Sequence, residues 1–384
     1  MPIASEAIQR VPRSGIRRIF DQAAQYPDCI RLEVGEPSFA TPDHIKRAAV
    51  TALAEDFTKY TPNAGILELR EAICAKLQRV NGITARPEDV VVTTGGVAAC
   101  FTALAALANP GDEVLIADPS WPNYLQMCML LGVTAVHYRL HLEHGLVPTV
   151  DEIERRITPR TKVLVLNSPG NPTGAITPAP RLREILDLAA HHDLWVISDE
   201  VYDEIWFEAP PPSLQPMDRD GRVLSVYSCS KTFAMTGWRV GYLTGEPGAV
   251  AHALRAQEPT TSCVNSPAQK AATAALSGDQ TCVAEMRAAY ARRAQLVTAI
   301  LDDADVPYAR PTGAFYTMVD VSRSGLTDTD FVRRMIDERR VAVVPGSAFG
   351  PDSGNVVRIS LASSDADLRV GVERLASAVH DWRS

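Results

Sequence analysis

Lysine is scarce in this chain. Only Lys46, Lys59, Lys76, Lys162, Lys231 and Lys270 are present among 38 basic residues, and the rest are arginine. Long apolar runs are missing too. The longest, near 97–108, is broken by Thr102, and it is shorter than the about 20 residues that span a bilayer, so it reads as a buried helix. The N-terminal MPIASEAIQRVPRSGIRRIF carries charge throughout and has no apolar core, so it does not read as a secretory leader. Cys29, Cys74, Cys100, Cys128, Cys229, Cys263 and Cys282 are scattered, odd in number and free of CxxC or Cys/His spacing. That pattern excludes a metal-ligand motif and points to reduced thiols in the cytoplasm. A net charge of −8 argues against an extended nucleic-acid surface, while leaving room for a local basic pocket. No internal repeat accounts for the chain, since its strand-like runs share pattern and not sequence.

What is present suits a large soluble globular protein. At 384 residues the chain exceeds the roughly 250–300 at which one core stops growing, so two domains are expected. The expected division is an N-terminal arm with part of a small domain over 1–45, a large domain over 46–280 and a small C-terminal domain over 281–384. From Asp89 onward, the runs DVVVTT, DEVLIAD, AVHYRL, KVLVLN, LWVISD and VLSVYS alternate with helical segments, and WRVGYLTG follows. Near-continuous apolar strands of this kind predict an α/β fold with a mainly parallel sheet covered by helices on both faces. EAPPPS at 208–213 reads as a stiff surface loop. Past residue 280, a long amphipathic helix precedes GAFYTMVDV, RVAVVPG and VVRISL, which predict the strands of a smaller α/β unit. The N-terminal arm is expected to pack against that unit.

The polar clusters follow the strands. TTGG comes after DVVV, DPSWPNY after EVLIA, NSPGNPTG after KVLVL, SDEVY after LWVI, and SCSK after VLSV. In open parallel sheets the ligand crevice lies outside the carboxyl ends of the strands, so these clusters can meet at one site. Gly96 and Val97 open an apolar helix whose free N–H groups and dipole suit a phosphate, although Gly-Gly is also an ordinary strand-to-helix turn. Ser228 adds a hydroxyl and Arg239 a fixed cation. Asp199 ends a strand, where a carboxylate can hold a ring nitrogen protonated or cap a helix. Tyr202 can approach the same ligand, and Trp121 can stack on a flat ring or fill the core. Asn171 sits in a turn fixed by two prolines and two glycines, with Asn171–Pro172 a candidate cis bond. Lys46, Lys76 and Lys270 fall on helices with polar faces, and Lys231 alone follows the last strand of the convergent group.

A phosphate cradle, a stacking ring, an acid for a ring nitrogen and a lysine describe a pyridoxal 5'-phosphate site. DPSWPNY, NSPGNPTG, SDEVYDE and SKTFAMTGWRVGY, in this order, resemble the fold type I pyridoxal-phosphate enzymes, specifically the class I aminotransferases typified by aspartate aminotransferase. The resemblance covers nearly the whole chain. It implies that Lys231 forms a Schiff base with the cofactor and then moves the proton at the substrate α-carbon. It further implies Asp199 on the pyridine nitrogen, Tyr202 and Asn171 on the 3′-oxygen, and Trp121 on the ring face. Gly96, Val97, Ser228 and Arg239 would hold the phosphate, together with Tyr60 of the partner subunit in a homodimer with sites at its interface. Arg358, Asn171 and Gly35 would hold the substrate α-carboxylate, and Pro119 and Pro172 would follow cis bonds. Ile16, Val97, Tyr124 and Ser262 would form the side-chain pocket. Some dicarboxylate-specific relatives carry lysine where this chain has Val97, which tilts the expected substrates towards a neutral amino acid, with glutamate or 2-oxoglutarate as a common partner. The reaction expected is amino-group transfer between an L-amino acid and a 2-oxo acid, with no metal, nucleic acid or membrane. A lyase or oxidase on the same scaffold is the alternative, because a fold does not fix a reaction.

Overall fold

The computed structural model describes residues 3–12 and 15–382. Its strands run in chain order as β1 (Ile30–Arg31), β2 (Val90–Thr93), β3 (Glu113–Asp118), β4 (Thr134–Arg139), β5 (Thr161–Asn167), β6 (Trp195–Asp199), β7 (Val223–Ser228) and β8 (Gly241–Gly245). They continue as β9 (Tyr316–Asp320), β10 (Val341–Ala342), β11 (Val344–Pro345) and β12 (Val356–Ser360). Seven of them form one sheet in the order β2-β8-β7-β6-β5-β3-β4. Only β8 runs against its neighbours, β2 and β7.

The apolar runs are continuous because both faces of this sheet are covered. Val114 and Ile116 of β3, with Val163 and Val165 of β5, enter one core with the helix Gly95–Leu107. The intervening Leu115, Leu164 and Leu166 enter another with the helix Ala179–His191. Successive side chains point to opposite faces, so each strand serves two cores.

The parallel strands therefore end together, and their last residues share one edge. β8 starts at that edge because it is antiparallel, with Gly241 paired to both Thr93 and Ser228. Arg239 just precedes it and is thereby delivered to the same place. Gly241 must be glycine there, since a Cβ would lie 2.6 Å from the Gly95 carbonyl carbon.

A three-stranded sheet, β11-β12-β9, lies beside the first. RVAVVPG, expected as a single strand, is divided: β10 pairs in parallel with β1, and β11 pairs antiparallel with β12. Val343 separates the two pieces, so one apolar run serves two sheets. EAPPPS is exposed over 208–210, but Ser213 is buried and accepts a hydrogen bond from Asn81 Nδ2 at 2.9 Å. Lys76 departs from its expected polar face. It is 3% exposed and paired with Asp203 and Asn81.

Among the described residues no helix is long and apolar enough to cross a membrane. The seven cysteines are free thiols.

Candidate active site

At the carboxyl edge of the large sheet lies a cavity of about 210 Å³. Lys231 projects into it from the short helix Cys229–Thr232. Its Nζ donates to the Gly35 carbonyl at 2.7 Å and stands 5.9 and 5.7 Å from the ring centroids of Tyr202 and Phe315. Loss of hydration draws the ammonium down to about 8, with Arg358 and Arg239 adding to the fall and Glu36 and Asp199 opposing it.

Asp199 forms the floor. Burial raises its carboxyl above the usual range, against the hydrogen bonds that stabilise its anion. The Tyr124 hydroxyl donates to its Oδ2, the Cys100 thiol approaches the same oxygen at 3.6 Å, and the Val201 N–H reaches Oδ1 at 3.3 Å. Tyr124 was expected in the side-chain pocket; it does line the cavity, but its hydroxyl is committed to Asp199. Trp121 lines a wall, edge-on to Tyr124 with ring centroids 5.4 Å apart.

At one end the helix Gly95–Leu107 begins, leaving its first N–H groups without intrahelical partners. Thr94 Oγ is buried there with no partner. Arg239 holds this end through the Thr236 and Thr94 carbonyls, at 2.7 and 3.3 Å. A Cβ on Gly95 would lie 2.4 Å from its Nη2, and one on Gly96 would lie 2.9 Å from Val201 Cγ1. The two glycines thus keep open a cradle lined by N–H groups, the Ser228 hydroxyl and the Arg239 guanidinium. Ser228 caps the lysine helix by accepting from the Ser230 N–H at 3.1 Å, and the two serine hydroxyls are 2.9 Å apart. Ser230 had no expected role; its contact with Ser228 and its place in the lining supply one.

At the other end stands Arg358 of β12, 1% exposed. It donates to Asn171 Oδ1 at 3.0 Å and to the Glu33 carbonyl at 2.6 Å, while its buried Nε has no partner. Tyr316 and Phe349 flank the guanidinium, at 4.4 and 4.9 Å. Tyr316 also meets the Tyr202 hydroxyl at 3.1 Å, and a Cβ on Gly35 would lie 2.8 Å from its oxygen. Asn167 orients the turn below by accepting from the Asn171 N–H at 2.8 Å and donating to the Asp199 carbonyl at 3.0 Å. Asp118–Pro119 and Asn171–Pro172 are cis, as is Ser168–Pro169, which the sequence reading did not anticipate.

Residues 27–375 match the family model for aminotransferase class I and II. The chain belongs to that family. As an aminotransferase it is 38% identical over 383 residues to aromatic-amino-acid aminotransferase 2 of Thermococcus litoralis, covering 98% of each chain. It is 40% identical over 355 residues to an aspartate/prephenate aminotransferase of Thermus thermophilus, covering 91% of this chain and 90% of that one. The solved aspartate aminotransferase of Thermus thermophilus with maleate superposes with a TM-score of 0.94 at 37% identity, covering 98% of this chain and 100% of that one. The fold is therefore fold type I and the activity is amino-group transfer, which these relatives favour over a lyase or oxidase. Pyridoxal phosphate is the cofactor of this family.

Two residues expected in the aminotransferase site lie outside the cavity of this chain. Ser262 follows the helix Pro247–Thr261 with φ 59°, is exposed, and bonds the Glu258 carbonyl at 3.4 Å. Tyr60 is 93% exposed. Ile16 and Val97 do line the cavity. Among the described residues no group of three or more His, Cys, Asp or Glu side chains is placed to hold a metal.

Proposed function

We propose that this aminotransferase binds pyridoxal 5'-phosphate through Lys231 and transfers the amino group of a neutral L-amino acid, with glutamate or 2-oxoglutarate as a common partner. The observation that carries this reading is the Lys231 amine, held by Gly35 between Asp199 and Arg358 and lowered to about 8. The residues fit the cofactor: the cradle kept open by Gly95 and Gly96 beside Arg239 and Ser228 suits the phosphate, and the buried Asp199 suits a protonated ring nitrogen. Bound pyridoxal phosphate supplies an aldehyde for amino-group exchange and a ring that takes up the electron pair released at the substrate α-carbon.

In this reading Gly96, Val97, Ser228 and Arg239 bind the phosphate, Trp121 covers the ring, and Tyr202 and Asn171 bond its 3′-oxygen. Arg358 and Asn171, with the Gly35 backbone, hold the substrate carboxylate, and the orphan Nε of Arg358 gives a charge-assisted donor for it. Lys231 carries the proton at the α-carbon, for which an amine near neutrality is suited.

The neutral-substrate assignment rests on a charge count. Among the described residues the cations lining the cavity are Lys231, Arg239 and Arg358, and each has a task above. Ile16 and the Val97 side chain are left to face the substrate side chain. The 93% exposure of Tyr60 supports its contribution to the phosphate site of a second copy, and hence a homodimer. The seven-stranded sheet and the three-stranded sheet support a large domain over 46–280 and a small one over 281–384 with the N-terminal arm. The free thiols suit a cytoplasmic protein.

The test is borohydride reduction of the holoenzyme followed by peptide mapping, with Lys231→Ala as the control. The cofactor mass should appear on Lys231 and on no peptide of the variant. Labelling of another lysine, or none, would overturn the assignment.

A further inference from the structure

Asp118 ends β3 and has no part in the site described above. Its side chain is 1% exposed. Oδ1 accepts from Ser353 Oγ at 2.7 Å, and Oδ2 accepts from the Asp352 N–H at 2.9 Å. Two residues further on, the Ser120 N–H donates to the Phe349 carbonyl at 2.9 Å. These three bonds fasten residues 349–353 to the carboxyl end of a strand in the seven-stranded sheet. The approach is close: a Cβ on Gly350 would lie 1.9 Å from Asp118 Oδ1.

The fastened loop leads directly into β12, and its first residue packs on a side chain that lines the cavity. Phe349 flanks the Arg358 guanidinium. Ala348 Cβ lies 2.8 Å from where a Cβ on Gly15 would stand, next to Ile16 at the cavity mouth. A second carboxylate, Asp328, accepts from the Ser347 N–H at 2.7 Å and from the Thr329 N–H at 2.8 Å. Asp328 therefore ties the loop to the helix Asp328–Arg339, on the side of the three-stranded sheet. Asp118 makes the tie to the other sheet. It stands three residues before Trp121, so one carboxylate links the wall of the cavity to the loop beside Arg358.

We infer that Asp118 is a positioning residue that fixes the span between Trp121 and Arg358 and so sets how well Arg358 meets the substrate carboxylate. This rests on the reading of Arg358 as the carboxylate clamp. The Asp352 N–H can only donate and needs an acceptor oxygen, whereas the Ser353 hydroxyl can also accept, so Asn in one orientation keeps both partners and loses the charge.

The test uses Asp118→Ala, Asp118→Asn and Ser353→Ala in the full chain. Steady-state kinetics are measured with L-phenylalanine, L-aspartate and L-glutamate as donors, and amide hydrogen exchange of residues 349–353 is measured in the apoprotein. Asp118→Ala should raise exchange in that loop and raise the amino-acid KM about tenfold, with kcat changed less than about threefold and pyridoxal phosphate retained. Ser353→Ala should shift KM in the same direction by less. Faster exchange with an unchanged KM would overturn the inference, as would unchanged exchange, or parallel loss of kcat, KM and cofactor. Asp118→Asn should fall nearer the parent than Asp118→Ala in both readouts, and if Asp118→Ala does not fold, Ser353→Ala decides the matter by the same readouts. Arg358→Ala separates the two readings. An unchanged KM there defeats the clamp, whereas a raised KM there with a normal KM in the Asp118 and Ser353 variants defeats only the positioning role.

Discussion

The Tyr124 hydroxyl donates to Oδ2 of Asp199, at the floor of the cavity. The bond opposes the burial that raises the Asp199 carboxyl, and so favours the anion that a protonated ring nitrogen needs. Tyr124→Phe should lower kcat about tenfold with little change in KM, since one lost charge-assisted bond is worth roughly 1.5–3 kcal/mol. Steady-state kinetics check this, and an unaltered kcat would show that Asp199 needs no help.

Lys231 sets a pH dependence. Its amine loses its proton near pH 8 rather than at its ordinary 10.5. Only the neutral amine attacks an aldehyde, so recapture of pyridoxal phosphate by the apoprotein should speed up as pH rises through about 8 and level off above it. In the same window the unfolded chain holds a proton that the folded one has released. This group's contribution to apoprotein stability therefore rises with pH from about 8 to 10.5. Stopped-flow reconstitution across pH reads the first effect; a flat profile would contradict it.

Arg358→Ala should raise the amino-acid KM by about 10–150-fold, the equivalent of roughly 1.5–3 kcal/mol for a charge-assisted bond, while the cofactor stays bound. Arg358→Lys should recover little, because an ammonium cannot reproduce the planar fork. Kinetics together with the visible spectrum separate these outcomes from a general loss of the site.

Gly95 has φ +81°, and a Cβ there would meet Arg239. Gly95→Ala should therefore weaken pyridoxal phosphate binding at least about tenfold, through strain of about 1 kcal/mol or more and a displaced guanidinium. Titration of the apoprotein gives the dissociation constant. Unchanged binding would place the phosphate elsewhere.

Much of the site was legible because strand ends carry it. Asp199, Ser228 and the Gly95–Gly96 turn each follow a β-branched run, and the parallel sheet brings those ends together. The rest depended on relations that a linear pattern does not contain. Val341 to Pro345 form one apolar run in sequence, and nothing in its spacing reveals that β10 and β11 face different partners. Lys76 has helical spacing that suits a polar face, yet Asp203, 127 residues away, draws it inside. The Tyr124–Asp199 bond likewise joins two clusters whose meeting could be expected, but whose atomic pairing could not. Ser262 shows the converse: a polar residue expected in the pocket caps a helix instead.

The Lys76–Asp203 pair also predicts a stability effect. Lys76→Met leaves a buried carboxylate without its cation and should cost about 3–5 kcal/mol. Lys76→Met with Asp203→Leu should recover part of that loss. Thermal unfolding of the apoprotein compares them; equal midpoints for the single variant and the parent would show that water already compensates Asp203.

β1 and β10 are neighbours in space and 311 positions apart along the chain, from Ile30 to Val341. During synthesis, the N-terminal segment leaves the ribosome first and waits for its partner until almost the whole polypeptide has been made. The seven-stranded sheet, complete by Gly245, can close well before then. Arg358 arrives later still, so a nascent chain has the lysine for the cofactor before it has the arginine for the substrate.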